Sequence, residues 1–275
     1  MNIDPKDWKE KLIKMRYFIT SDIHGYYSVL IKELNKQGFD KNKDTLITLG
    51  DNFDRGSENW EMYKFLSTLP NVILVRGNHE DCLLELINRG FPLSHDFHNK
   101  TVDTLGDVME RYNFNISWYN FENIINTSFY KWLTSDKWVD KVEFDNLVLT
   151  HATIPNNIFK SFKQSRWADP TINRVPNKIL VCGHWFAYLA RRDYNKDMNK
   201  DDETDLYYGI NLPENTLRYF YEPYFDKNLI MIDACTPATK RCNILIYDDE
   251  TEELSYNGKV ICKSNDKEIN NVELL

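Results

Sequence analysis

The chain has 275 residues, of which 42% are hydrophobic and 28% charged, a balance that is typical of a globular protein and excludes a disordered chain. Its net charge of -8 argues against nonspecific binding to nucleic acid or to anionic lipid, because both require a basic surface. No apolar run approaches the roughly 20 residues that cross a bilayer, so we expect no membrane span.

The cysteines and the first residues point to a reducing compartment. Five cysteines without a Cys-x-x-Cys pair indicate reduced thiols, and they argue against a disulfide framework or a structural zinc site. Residues 1–15 carry four lysines without the apolar core of a secretory signal. The sequence therefore predicts a cytoplasmic protein.

Five short apolar runs predict strands that are buried on both faces. Each run has four or five residues and is rich in Val, Ile, Leu and Thr. The runs cover residues 17–20, 45–49, 72–75, 147–150 and 179–182. A polar residue follows each run directly or within a few positions, and the ends of strands are where open α/β sheets usually keep their chemistry. We therefore expect these polar residues to meet in one site.

The segments between the first runs predict helices. Residues 26–37 and 57–69 keep apolar side chains at helical spacing, as expected for the crossovers of βαβ units. Residues 81–89 continue that pattern up to Gly90, a suitable C-terminal stop. Residues 81–145 as a whole predict a mostly helical, aromatic insertion, whose aromatic side chains we expect in the core rather than at a substrate platform. A role as a lid stays open.

The last third of the chain contains a polar stretch followed by further strands. Residues 193–205 are similar to a calcium-binding loop, but the required glycine and glutamate are missing, so we predict an exposed loop. Residues 229–233, 243–247 and 253–256 predict strands of a second sheet. The tail 263–275 is polar enough to fray.

The polar residues after the strands form five blocks. They are SDIHG at 21–25, GDNFDRG at 50–56, GNHE at 77–80, His151, and Gly183-His184. Together the blocks resemble the signature of the calcineurin-like metallophosphoesterases, and GDNFDRG and GNHE resemble its phosphoprotein phosphatase branch, in a bacterial or phage-like form. The resemblance covers about residues 16–185. It implies an α/β fold, a two-sheet sandwich flanked by helices, with one catalytic domain at 1–262.

The resemblance also implies a pair of divalent metal ions. Asp22, His24 and Asp51 would hold one ion, while Asp51, Asn78, His151 and His184 would hold the other. Oxygen and imidazole ligands suit manganese, which we favour, and also iron or zinc. Two such ions clamp phosphoryl oxygens and lower the pKa of a bound water. With two carboxylates, two dications and neutral histidines, the site keeps about two positive charges, which suits a phosphate dianion.

Catalytic and phosphate-binding roles follow from the same resemblance. His79 would protonate the leaving alkoxide, and Asp54 would hydrogen-bond its imidazole and raise its pKa. Arg55 and the ligand Asn78 would contact phosphate, and Arg166 is the candidate for a second phosphate-binding arginine. Three other arginines compete for that last role, Arg174, Arg191 and Arg192.

Some residues depart from the family pattern or lie outside it. Ser21 replaces a glycine and Phe53 a smaller aliphatic residue, and we expect both changes to affect packing only. Trp185 replaces a small residue, and we expect this change to affect the rim of the substrate site but not the metal site. His95 and His98 lie in a polar stretch that predicts a solvated loop.

The predicted function is the hydrolysis of phosphate monoesters by direct attack of a hydroxide held by two metal ions, without a covalent enzyme intermediate. Phosphoserine or phosphothreonine in proteins is the favoured substrate. The alternative is hydrolysis of diadenosine tetraphosphate or another nucleotide. A noncatalytic binding module is the remote alternative, since such relatives lose the acid or its partner, whereas His79, Asp54 and all six ligands are present. The oligomeric state stays open.

Overall fold

A computed structural model describes residues 15–114, 121–194 and 212–269. Within these ranges the chain forms twelve strands, labelled β1 to β12 in chain order. They are Arg16–Thr20, Thr45–Thr48, Val72–Val75, Trp138–Val139, Lys141–Glu143, Leu147–Thr150, Ile179–Phe186, Tyr224–Asp226, Leu229–Asp233, Leu245–Asp248, Glu253–Tyr256 and Lys259–Lys263.

The described residues also form ten α-helices, labelled α1 to α10. They are Tyr27–Lys36, Asn59–Thr68, Asn78–Arg89, Ser94–His98, Thr101–Arg111, Ser128–Leu133, Phe162–Ser165, Ala187–Tyr194, Glu214–Tyr221 and Thr236–Thr239. A 3-10 helix at Phe121–Asn126 precedes α6. Among the described residues, no helix has the length and apolar character needed to cross a bilayer.

The strands form two mixed sheets. The first sheet has the order β12-β11-β10-β1-β2-β3-β4 and the second the order β5-β6-β7-β9-β8. The strands β1, β2 and β3 run parallel because α1 and α2 connect them as crossovers, and β6, β7 and β9 also run parallel. In each sheet the carboxyl ends of the parallel strands therefore lie at one edge.

Successive side chains of a strand point to opposite faces of its sheet, so the core has two layers. Ile47 and Val75 of the first sheet and Val181 of the second belong to one buried cluster, which fills the space between the sheets. Their neighbours Leu46 and Leu74 point to the opposite face, where they pack against helices. Full burial of each such side chain contributes roughly 1.5–3 kcal/mol. The predicted two-sheet α/β sandwich with flanking helices is confirmed.

The described part of the insertion is mostly helical, as predicted, and several of its aromatic side chains lie in the core, whereas Phe91 and Phe97 are exposed. Phe129, Trp132 and Trp138 are buried in the cluster that covers the outer face of the first sheet. Two further aromatic residues of the insertion, Trp118 and Tyr119, lie outside the described residues. The three buried aromatic residues therefore support the fold rather than a substrate platform.

Two local predictions need correction, and a third lies mostly outside the described residues. The helix predicted from residue 81 begins at Asn78, because Glu80 accepts the backbone N–H of Gly77 at 2.8 Å and so caps the first turn. His95 and His98 lie in the short helix α4 instead of a loop, because Asp96 accepts the Leu93 N–H at 2.6 Å. Residues 195–205 of the predicted polar loop lie outside the described residues.

The start of the C-terminal tail is also more ordered than its polarity predicts. Lys263 is the last residue of β12, and its carbonyl accepts a hydrogen bond from Asn146 Nδ2 at 2.7 Å. Further along, the N–H of Ile269 donates to the carbonyl of Lys227 at 2.6 Å. Residues 263–269 therefore pack against the second sheet, because buried Asn146 offers them donors.

Candidate metal centre

The two sheets bring all six predicted ligands to one edge. Asp22 and His24 follow β1, Asp51 follows β2, Asn78 begins α3 after β3, His151 follows β6, and His184 lies near the end of β7. All except His184 are at most 3% exposed, and His184 is partly buried. Polar side chains this deeply buried require partners or an ion, because leaving them unpaired costs several kcal/mol.

The backbone around the site is strained. Several of the site residues have a left-handed backbone, which non-glycine residues rarely adopt. The φ values are 55° for Asp22, 52° for His24, 55° for Asp51, 71° for Asp54, 65° for Arg55 and 65° for His184. Asp and His tolerate this region better than most residues. The tight turns after β1 and β2 thus direct several neighbouring side chains into the site.

Gly77 permits a close approach between two loops of the site. A Cβ atom at this position would clash with Oδ1 and the backbone nitrogen of Asp51. The loop after β3 can therefore lie directly against the loop after β2 only because residue 77 is glycine.

Two groups of side chains have the spacing of a metal site, and they share one carboxylate. His24, Asp51 and His79 form one group, and Asp51, His151 and His184 form the other. Oδ2 of Asp51 lies 3.9 Å from Nε2 of His24, while its Oδ1 lies 3.5 Å from Nε2 of His151. The shared Asp51 thus has one oxygen on each side, as a bridging ligand requires.

Neither group includes Asp22, whose Oδ2 accepts hydrogen bonds from the hydroxyl of Ser21 and from the backbone N–H of His184, the latter at 3.0 Å. Its other carboxylate oxygen remains for an ion. By spacing alone, His79 could occupy a place in the first group. Ser21 therefore does more than alter packing, since its hydroxyl orients a predicted ligand.

The hydrogen bonds of His151 fit a bound cation. Its Nδ1 lies 2.7 Å from the carbonyl oxygen of Leu49, which can only accept, so Nδ1 carries the proton of the neutral ring. Nε2 then presents a lone pair, yet it lies 2.7 Å from Oδ1 of Asn78, which is also an acceptor. Two acceptors that face each other repel unless a cation lies between them. His184 Nδ1 lies 2.9 Å from the same oxygen.

His24 shows the same arrangement on the other side of Asp51. Its Nδ1 lies 3.0 Å from the carbonyl oxygen of Phe53, which leaves the Nε2 lone pair directed into the site. Ligand histidines in metal sites usually donate their second ring N–H to such a carbonyl. The residues present therefore fit a pair of divalent ions.

Burial disfavours the charged forms of His24 and His184. Burial lowers the pKa of His24 well below its ordinary value, and the charges of Arg55 and His79 lower it further. Burial and the neighbouring His151 lower the pKa of His184 to about 3. Neutral imidazole is the form that binds metal, so the site favours binding near neutral pH.

The pKa values of Asp51 and Asp22 shift in opposite directions. Burial acts to raise the pKa of Asp51, but attraction to the protonated forms of His151, His79 and His24 outweighs burial and holds the pKa below its ordinary value. In contrast, burial and the nearby Asp233 raise the pKa of Asp22 well above its ordinary value when no ion is present.

His79 has the partners expected of a general acid. Its Nδ1 donates to Oδ2 of Asp54 at 2.7 Å, and both side chains are almost completely buried. Burial acts to lower the pKa of His79, but the charge of Asp51 and the hydrogen bond to Asp54 outweigh burial and raise it. The remaining nitrogen, Nε2, lies 3.8 Å from Oδ2 of Asp51 and thus faces the ligand groups.

Arg55 spans the space between two histidines. Its NH1 lies 3.2 Å from Nε2 of His24, and its NH2 lies 3.3 Å from Nε2 of His79. The guanidinium is only partly buried, so its fork borders the site where a phosphate would enter.

Arg166 is held by two carboxylates. Its NH1 and NH2 form ion pairs with Asp81 and Asp140, and the residue is only 6% exposed. Its Nε has no hydrogen-bond partner among the described residues, and its phosphate-binding role stays a prediction. Among the competitors, Arg174 pairs with Asp226 at 2.7 Å, and the side chains of Arg191 and Arg192 lie outside the described part of the chain.

Sequence reasoning missed two buried acids. Glu80 is fully buried, and its carboxylate accepts the backbone N–H groups of Asp51, Asn52 and Gly77 at 2.8–2.9 Å. Asp233 is 1% exposed; its Oδ1 accepts the Cys235 N–H at 2.8 Å and its Oδ2 has no partner among the described residues. Asp233 ends an apolar strand, so the pattern that revealed the ligands would have found it.

Comparisons with known proteins bear on this geometry. A family model described as calcineurin-like phosphoesterase matches residues 15–219. The serine/threonine-protein phosphatase 2 of Salmonella typhimurium is 46% identical over 68 residues, which cover 25% of this chain and 31% of that protein. A symmetrical bis(5'-nucleosyl)-tetraphosphatase of Proteus mirabilis is 30% identical over 141 residues, which cover 51% of this chain and 45% of that protein.

The chain spans less than half of the length of these curated relatives. Among solved structures, a protein serine/threonine phosphatase from Saccharomyces cerevisiae matches with a TM-score of 0.51 and 14% identity, over 97% of this chain and 83% of that one. At that identity the match supports the fold alone.

Proposed function

Because the chain belongs to the calcineurin-like phosphoesterase family, we propose that it hydrolyses phosphate monoesters with His79 as the general acid, and that phosphoserine or phosphothreonine in proteins is its substrate. The observation that carries the proposal is the buried His79–Asp54 pair, whose Nδ1–Oδ2 distance is 2.7 Å, next to two ligand groups that share Asp51. A metal-binding module without catalysis would not need an oriented imidazole.

The chain's own residues perform three tasks in this proposal. Two divalent ions, held by the six predicted ligands, would polarise the phosphoryl group and lower the pKa of a water at the site. Arg55 would leave the two histidines that it contacts and take two oxygens of the substrate phosphate. His79, held by Asp54 through Nδ1, would donate the proton on Nε2 to the leaving oxygen, which contributes roughly 10²- to 10⁴-fold. A hydroxide formed from that water, whose proton passes to solvent, would attack phosphorus as the bond to the leaving oxygen breaks, without a covalent enzyme intermediate.

Manganese is the metal that we favour, with iron or zinc as alternatives, since oxygen and imidazole ligands suit all three. A cytoplasmic location stays a prediction from the sequence. The five free cysteines, all buried, support a reducing compartment.

Hydrolysis of a dinucleoside tetraphosphate is the second candidate. It is favoured by the length of the match to the Proteus mirabilis tetraphosphatase, which covers about twice as much of this chain as the match to the Salmonella typhimurium phosphatase. The higher identity of the phosphatase match favours the first candidate.

The test is manganese-dependent product release from a phosphothreonine peptide and from diadenosine tetraphosphate, measured side by side on one preparation. The His79→Asn protein gives the background. Turnover of the peptide alone would support the protein phosphatase, and preferential cleavage of the dinucleotide would make the second candidate the better one. Metal binding without turnover of either substrate would contradict the proposal.

A further inference from the structure

Two threonines of the helical insertion bind the partner of the proposed acid. The hydroxyl of Thr101 donates to Oδ2 of Asp54 at 2.6 Å, and the hydroxyl of Thr104 donates to Oδ1 at 2.7 Å. All three residues are 0% exposed. Because the threonines are three positions apart in the first turn of α5, they lie on one face of the helix and reach both oxygens of one carboxylate.

These contacts leave Asp54 little freedom. Its Oδ2 accepts from both Thr101 and Nδ1 of His79, while its Oδ1 accepts from Thr104. Its backbone, with φ at 71°, is fixed in the left-handed region by the turn after β2. The carboxylate plane is therefore set by two hydroxyl groups, and the direction of the His79 ring is set by that plane.

We propose that Thr101 and Thr104 are positioning residues for the general acid. They hold Asp54 in the orientation that keeps Nδ1 of His79 bonded and its Nε2 directed at the leaving oxygen. This inference rests on the proposed function of His79. It gives the insertion a role in positioning the acid, because the two threonines belong to α5 and not to the loops at the strand ends.

A purely structural role for these contacts makes a different prediction. If the two threonines only fastened the insertion to the sheet, their loss would lower stability and affect all substrates alike. If they position the acid, their loss must affect most the reactions that need a proton. An alkoxide leaving group is a strong base and needs protonation, whereas p-nitrophenolate is a weak base and leaves with little help.

The experiment compares two substrates in the manganese-loaded protein, a phosphothreonine peptide and p-nitrophenyl phosphate. The Thr101→Val/Thr104→Val protein keeps the side-chain shape and loses both hydroxyls. We expect its kcat on the peptide to fall roughly 10- to 100-fold, part of the full contribution of a general acid. We expect little change on p-nitrophenyl phosphate. The Thr101→Ser/Thr104→Ser protein should restore peptide turnover, because it restores both donors.

Thr127→Val is the matched control. Thr127 is also a buried threonine of the insertion, and its hydroxyl accepts the Tyr130 N–H at 3.2 Å as the N-cap of α6. Its loss should lower the stability of the protein without changing the ratio of the two rates. If the double valine protein does not fold, the two single valine variants take its place.

The outcomes separate the two proposals. If His79→Asn changes the ratio of the two rates but the valine variants do not, the role of the threonines is overturned and the proposed function stays intact. If His79→Asn itself leaves the ratio unchanged, the assignment of the acid fails and the inference fails with it.

Discussion

Glu80 accepts the backbone N–H of Asp51 at 2.9 Å and thereby connects the first turn of α3 to the loop that carries the shared ligand. The same carboxylate accepts the N–H of Asn52 at 2.9 Å and that of Gly77 at 2.8 Å. A single buried side chain thus fixes the relative position of the loops after β2 and β3, and with it the distance between Asp51 and Asn78.

Replacing Glu80 by Gln should destabilise the protein. The new amide would direct an NH2 group at backbone donors, and one buried N–H would lose its acceptor, which costs about 1–3 kcal/mol. Urea unfolding of the metal-free protein measures the effect. Glu85→Gln, at a partly exposed position of the same helix, is the control and should change the free energy of unfolding by less than about 0.5 kcal/mol. Equal stability of the two variants would show that the Glu80 contacts are unimportant.

Replacing His79 by Asn should separate metal binding from catalysis. The variant should retain both ions, because all six predicted ligands remain, and should lose roughly 10²-fold or more in turnover of an alkyl phosphoester. Metal content and kcat on the same sample provide the measurement. His95→Asn, at a half-exposed histidine of α4, is the control and should behave like the unaltered protein. Unchanged turnover in His79→Asn would exclude this residue as the acid.

Replacing Arg55 by Lys should weaken phosphate binding while keeping the charge. Lysine cannot offer two parallel N–H groups to two phosphate oxygens, so we expect the inhibition constant of inorganic phosphate to rise about tenfold. The same measurement on Arg166→Lys tests the second arginine. A similar rise there would support the phosphate role of Arg166, whereas an unchanged constant would leave it as a structural partner of Asp81 and Asp140.

Asp233 should make the free energy of unfolding of the metal-free protein depend on pH. Burial raises the pKa of its carboxyl to about 7, although the hydrogen bond from Cys235 and the charge of Arg55 act to lower it. The folded protein therefore binds a proton that the unfolded chain releases near pH 4, so this stabilisation is full below about pH 4 and is lost as pH rises through about 7. Between these values, one proton changes the free energy of unfolding by roughly 1.4 kcal/mol per pH unit.

The measurement is urea unfolding of the metal-free protein and of Asp233→Asn at pH 5 and pH 8. Asn cannot titrate, so the stability of the variant relative to the unaltered protein should rise with pH. A difference that does not depend on pH would show that Asp233 has an ordinary pKa in the folded protein.

Much of the fold, and the placement of the predicted ligands at strand ends, could be predicted from the sequence, because both depend on local patterns. A run of β-branched residues becomes a buried strand, and the polar residue that ends it comes to the strand edge wherever the strand is placed. The runs at 17–20, 72–75 and 147–150 became β1, β3 and β6 in this way, apart from shifts of one residue at their ends. The aromatic pattern of the insertion likewise predicted that side chains such as Phe129, Trp132 and Trp138 lie in the core.

The partners of these residues were decided only by the tertiary structure, because they join positions far apart in the chain. Thr104 reaches Asp54 across 50 positions, and Arg166 reaches Asp81 across 85. Nothing in the local sequence distinguishes a threonine that supports a catalytic carboxylate from one that only begins a helix. The sequence alone determined which side chains could bind metal and phosphate, whereas the packing of α5 and α7 decided which groups hold them, since burial forces each polar group to find a partner among its neighbours in space.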